Sequence, residues 1–370
     1  MVAYWLLRYI TIVDETPRKV YETYLKHSFI CSPTVTLMNQ HAAFSNLLGA
    51  HAFPYPSRRD FLKAAVGAAS ALKGAPLLAG PSVRALPTVP LGPYRVTRLI
   101  SGFNPQFGFS HATPLLNQFM LDYFTDQQVV KYMLACEKAG INTWQSNYRA
   151  SPQRQIPMIR EAGCKMNWIC LADPWRGSEN GNGPVDEIEA TKKCAWHAWK
   201  LSPVGIAYHG MLTDQHWSAG SIDHLKGFID YVHDLGCPAG ISTHIPAVIE
   251  YIESKNWAVD FYMACFYRVS RSPQDFVKEI GVEPVGEAYL ASDPERMTKV
   301  IRQASRTCLG FKILAAGRKC QSSDEVRGAF QYAFKNIKPI DATIVGMVPK
   351  FSDQITENVR LVNEIAAERA

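Results

Sequence analysis

Three side chains able to move protons or hold an ion, Asp173, His209 and His244, each stand at the end of a short apolar run: MNWICLA, VGIAYH and PAGIST. A carboxylate and two imidazoles suit Zn, Mn or Fe, and such an ion activates water or polarises a sugar hydroxyl. Asp214 or His216, in GMLTDQHWSAG, offers a fourth ligand. Lys312 lies inside FKILAAG, too apolar a setting for a merely solvated charge. It is expected to point into a mouth, as a substrate-orienting cation or a Schiff-base lysine. The plainer reading has strand-end histidines bonding loop backbone and His244 capping the helix of IPAVIEYI. His216, His224 and His233 read as surface or helix-packing residues.

These residues need a scaffold that gathers distant strand ends. Eight runs read as strands covered on both faces: 96–103, 141–145, 166–172, 204–209, 238–243, 258–266, 308–315 and 342–347. Amphipathic stretches lie between them. DQQVVKYMLACEKAG sets Val129, Val130, Met133 and Leu134 on one face and stops at Gly140. IDHLKGFIDYVHDLG repeats the design over 222–236, and the last helix is expected to start from a Ser352 cap. The alternation predicts one α/β domain, a (β/α)8 barrel over 86–370, with chemistry at the C-terminal ends of its strands. Trp144, Trp175, Trp217, Tyr267 and Arg268 are then placed to line the mouth and bind substrate.

The stretch from about Pro93 to Ala370 resembles the aldo-keto reductase superfamily. YRVTRLISGFN is similar to its first strand, VGIAYHGM to its fourth with a histidine at the end, and GISTHIPAVIEYI to its fifth. VDFYMACFYRVSR is similar to the sixth, and ATIVGMVPKFSDQITENV to the eighth strand and the cofactor-phosphate loop after it. The resemblance implies a barrel that reduces carbonyls by hydride transfer from NADP or NAD. Gly346, Lys350, Asn358 and Arg318 are then its cofactor-binding residues, and His209, Tyr148, Lys312, Gln145 and Asp173 its catalytic set. A tyrosine proton donor needs a neighbouring cation to lower its pKa. The chain departs from the family at two of these places. Gln145 stands where the family has an aspartate, with Tyr148 only three residues on, and Asp173 stands where it has a lysine.

Composition narrows the class. The chain has 370 residues, 47% hydrophobic, 19% charged and net +6 without a block of like charge, so neither disorder nor nucleic-acid binding is called for. Nine cysteines show no CxxC pair and sit mostly in apolar runs, which reads as buried thiols. SRRDFLK at 57–63, a weakly apolar segment and the triplet VRA at 83–85 make a twin-arginine export signal, 57–85, behind an extension, 1–56. Lysine, proline and glycine interrupt the apolar segment, so it is no permanent membrane anchor. The partners expected are the translocase and a small-molecule substrate, and the destination is the periplasm or the exterior of a bacterium. Together these readings predict an exported reductase acting on a small carbonyl or sugar-like substrate. The alternative is a metal-dependent hydrolase, lyase or isomerase using Asp173, His209 and His244.

Overall fold

The computed structural model describes residues 85–174 and 187–368. The extension, the export segment apart from Ala85, and Trp175 lie outside them. Eight parallel strands close into a barrel: β3 (Leu99–Gly102), β4 (Thr143–Asn147), β5 (Asn167–Ala172), β6 (Gly205–Tyr208), β7 (Ala239–Thr243), β8 (Phe261–Cys265), β9 (Thr307–Phe311) and β10 (Ala342–Gly346). The ring closes where β10 pairs with β3, Thr343 opposite Leu99 through Gly346 opposite Gly102. This is the predicted (β/α)8 barrel; six strands lie within their apolar runs, while β4 extends two residues past its run and β9 begins one residue before its own.

An antiparallel hairpin, β1 (Thr88–Leu91) and β2 (Tyr94–Thr97), precedes the barrel, where the apolar runs predict no separate element. The barrel strand begins at Leu99, and Val96 and Thr97, at the front of the first apolar run, belong to this hairpin. Its Val89, Leu91 and Val96 join Ile100, Ile169, Phe261, Leu309 and Ile344 in the core inside the ring. A hydroxyl from the start of β9 ties it down, Thr307 donating to the Pro90 carbonyl at 2.9 Å. The hairpin therefore closes the floor, at the N-terminal ends of the strands.

Phe261 shows how the interior is filled. Its ring occupies space that side chains on two neighbouring strands would need: a Cβ on Gly240 would sit 2.4 Å from the ring, and one on Gly205 2.9 Å. One large residue and two absent ones make a close-packed layer.

Eleven helices are described: α1 (Pro114–Tyr123), α2 (Asp126–Lys138), α3 (Ala150–Glu161), α4 (Glu187–Trp199), α5 (Gly210–Ser218), α6 (Lys226–Asp234), α7 (Pro246–Ser254), α8 (Pro273–Ile280), α9 (Asp293–Gln303), α10 (Ser323–Asn336) and α11 (Gln354–Ala367). Thr125 caps α2 by accepting from the Gln128 amide, Asp126 opens the helix and Lys138 closes it, as its macrodipole favours. Its inner face buries Val129, Tyr132, Met133 and Cys136, at about 1.5–3 kcal/mol for a large apolar side chain. The 222–236 stretch breaks at Lys226 into a 3-10 turn and α6. The α11 cap is Asp353, not Ser352; its carboxylate accepts from the Thr356 amide at 3.0 Å. Among the described residues the eight cysteines are free thiols and all but Cys320 are buried, and no helix is long and apolar enough to cross a membrane.

Candidate active site

In β4 to β8 alternate residues face the interior, and the last of the inward series falls at or just past each strand end. That puts Asn147, Asp173, His209, His244 and Cys265 around the upper ring. Asp173 and His209 meet there: Oδ1 of the carboxylate lies 3.6 Å from Nε2 of the imidazole. The other oxygen of Asp173 accepts from Nε of Arg149 at 2.9 Å. Burial lowers the pKa of His209, and the charges of Arg149 and His244 add to that, while Asp173 opposes it; the ring is held neutral at neutral pH.

His244 has a different carboxylate. Asp214, one turn into α5, places Oδ2 2.8 Å from Nδ1 of His244, while Oδ1 accepts from the Thr243 hydroxyl at 2.6 Å. Both members are buried, with side chains 7% and 4% exposed. Burial alone would raise the pKa of Asp214. The hydrogen bond and charge of His244 outweigh it and hold the carboxyl below its usual range. Nδ1 of His244 is thereby fixed toward Asp214, and Nε2 has no hydrogen-bond partner among the described residues. The absence of a side chain at Gly210 allows this: a Cβ there would lie 3.2 Å from the His244 ring.

Lys312 follows β9 with its side chain 7% exposed, in a left-handed conformation of φ 59°. Such a backbone is costly for a residue with a Cβ and clusters at functional sites. Its ammonium lies 2.9 Å from Nε2 of His111 and donates to Glu287 at 3.4 Å, while Nδ1 of His111 meets the other oxygen of Glu287 at 2.7 Å. Burial would raise the Glu287 carboxyl. The bond to His111 and the charge of Lys312 bring it down to about 2. His111 and Glu287 escaped the sequence reading because they come from loops 176 residues apart. The sole signal was a lone acid in the glycine-containing loop VGEAYL.

Other expected residues stand elsewhere. Tyr148 faces the helix layer, its ring 5.9 Å from that of Trp168. Burial pushes its phenol up, with the thiols of Cys170 and Cys194 adding to the shift, the reverse of what a proton donor needs. The strand alternation that turns Asn147 inward turns Tyr148 out. Trp144 packs on the same outer side of β4 at 3% exposure, and Trp217 packs 5.6 Å from Tyr251 in the helix layer. Tyr267, 2% exposed, lies 5.1 Å from Tyr289. Arg268 reaches Asp275 at 2.8 Å. Gln145 is inward and buried, with its amide nitrogen unpartnered among the described residues.

The dinucleotide residues do not form a cradle. Pro105 fills the space at Gly346, where a Cβ would lie 2.6 Å from its ring, and Asn358 is buried in α11. The Lys350 ammonium lies over Phe119 at 4.6 Å, and Arg318 donates to the carbonyls of His111 and Glu287. The metal arrangement is not formed either. Among the described residues no three of His, Cys, Asp and Glu are gathered for an ion. The reason is pairing: Arg149 takes Asp173, Asp214 takes His244, and His216 turns to Ser221 at 2.9 Å. What remains is a mouth with two aspartate-supported imidazoles and a buried ammonium, a set suited to proton transfer and to holding negative charge on oxygen.

No family model and no curated protein matches the chain. Among solved structures it is similar to a putative aldo-keto reductase from Pseudomonas aeruginosa, at 16% identity and a TM-score of 0.47 over 78% of this chain and 98% of that one. It is similar also to a truncated 3-deoxy-D-arabino-heptulosonate 7-phosphate synthase from Thermotoga maritima, at 14% identity and 0.44 over 77% and 92%. A glycerol dehydrogenase from Gluconobacter oxydans follows at 13% and 0.40, over 76% and 95%.

Proposed function

We propose that this barrel is an enzyme that shifts protons on a small carbonyl or sugar-like compound, an isomerase or lyase in type. The observation that carries the reading is the bond from Asp214 to Nδ1 of His244, which leaves Nε2 of a buried, oriented imidazole without a partner at the barrel mouth. In the reaction Nε2 takes the proton on the carbon next to the carbonyl. The C–H electron pair moves into an enolate, whose oxygen carries the charge. Neutral His209 donates a hydrogen bond to that oxygen, and the Lys312 ammonium stabilises it through space. For an α-hydroxy carbonyl, the enolate oxygen takes the proton of the adjacent hydroxyl, and return of the carbon-bound proton from Nε2 to the former carbonyl carbon, as the second oxygen becomes the new carbonyl, completes an isomerisation. A tyrosine donor is not required.

The test is proton exchange. A panel of small aldoses, ketoses and keto acids is incubated with enzyme in D2O and followed by proton NMR. Deuterium is expected next to the carbonyl, with the rate at least about 100-fold lower in His244→Gln. Exchange at the wild-type rate in that variant, or turnover that depends on added nicotinamide dinucleotide, overturns the reading.

A further inference from the structure

Beside the mouth, between the strand ends of β7 and β8 and the helices α7 and α9, lies a cavity of about 350 Å³. His244 and Cys265 line it on the barrel side. That volume is near the low end of the roughly 300–1,000 Å³ typical of small-ligand pockets. It admits a compact group and is too small for a dinucleotide.

Its charged lining is divided unequally. Arg271, with no exposed side-chain surface, is committed to Glu279 and Asp293. Arg296 is paired with Glu279. Arg268 gives one guanidinium nitrogen to Asp275, but its Nε is buried with no acceptor among the described residues. Lys299, on the solvent side of α9, makes no ion pair among them. Glu250 of α7 also lines the cavity and makes no ion pair among the described residues.

Two further polar features line the same space. The first turn of α7 begins at Ile245, whose amide donates to the Thr243 hydroxyl; Pro246 has no N–H, so the amide this helix start offers the cavity is that of Ala247. His244, 6% exposed, presents an Nε2 that no described group accepts from or donates to. A buried guanidinium N–H without an acceptor is destabilising until an acceptor is supplied. A helix start and two cationic groups around one cavity are the arrangement that binds anions.

We propose that this chamber holds an anionic group, a phosphate or a carboxylate, on the substrate, with Arg268, Lys299 and the Ala247 amide as its ligands. The group would be bound beside the helices while the carbonyl end of the same molecule meets Nε2 of His244. This deepens the proton-transfer reading and rests on it for the reacting end alone. The substrate class is then a short phosphorylated or carboxylated carbonyl compound.

Calorimetric titration of the full chain at constant ionic strength tests it, with inorganic phosphate, acetate and chloride as probes. Phosphate or acetate is expected to bind at least about tenfold more tightly than chloride, and the preferred one identifies the anion. Lys299→Ala, at an exposed and unpaired site, leaves the fold intact and weakens binding about fivefold or more; Arg268→Gln does the same. Glu250→Gln tightens it. His209→Gln keeps the anion affinity while losing proton exchange, so the chamber and the reaction fail separately. Affinities no better than for chloride, or Lys299→Ala and Arg268→Gln binding phosphate as the wild type does, overturn the proposal.

Discussion

Asp214 and His244 are 30 residues apart in the chain, yet the carboxylate of one lies 2.8 Å from the ring nitrogen of the other, with both side chains buried. The contact exists because α5 starts at the end of β6 and brings position 214 back over the end of β7. Asp214→Asn keeps the shape but removes the charge and one acceptor. Proton exchange is expected to fall by about 10²–10⁴-fold, because a general base is lost from its working tautomer. Urea melts should show a loss of about 1–3 kcal/mol, because Thr243 and the His244 amide depend on the same carboxylate.

His209 makes stability depend on pH in a definite direction. Its folded pKa lies below the unfolded value of 6.5, because burial disfavours the charged ring. Unfolding therefore takes up a proton in the window between the two values. Stability rises with pH across that window and is lost as pH falls from about 6.5 toward the folded pKa. In His209→Gln the slope of unfolding free energy against pH should flatten there; an unchanged slope would mean that another group titrates.

Glu287 acts lower on the scale and with the opposite charge logic. Its folded value of about 2 lies below the ordinary 4.5, so its contribution is present above 4.5 and disappears as pH falls to about 2. The difference corresponds to about 3 kcal/mol as an upper figure. Glu287→Gln should remove most of the acid dependence in that interval while leaving Lys312 buried with a weaker partner. Acid titration followed by circular dichroism, wild type against variant, measures it.

Gly240→Ala tests the interior. A methyl group 2.4 Å from the Phe261 ring forces the ring or the strand to move, at about 1–3 kcal/mol or more. Phe261→Leu alone should also destabilise. The double variant should recover part of the loss, because the smaller side chain vacates the space the methyl needs. Additive losses in thermal melts would show that the two positions do not compete.

The barrel was legible because strands buried on both faces leave long apolar runs, and all eight runs hold a barrel strand. Asp173, His209 and His244 were legible as polar residues at the ends of those runs, and Lys312 as a charge inside one. Their partners were not. Arg149, Asp214, His111 and Glu287 lie in loops or early helix turns, where no periodicity marks direction. Tyr148 misled because one residue of strand register decides whether a side chain faces the mouth or the helices, and that register depends on pairing with β5. The hairpin went unread because it lies mostly ahead of the first apolar run, sharing with it only Val96 and Thr97, and its strands are four residues each, joined at Gly92 and Pro93.

The stopper formed by residues 88–97 has an evolutionary corollary. Cohesion is concentrated at one pole of the molecule and chemistry at the other. Substitutions around the opening can accumulate without loosening the ring, and whatever enters the opening must leave by the same door.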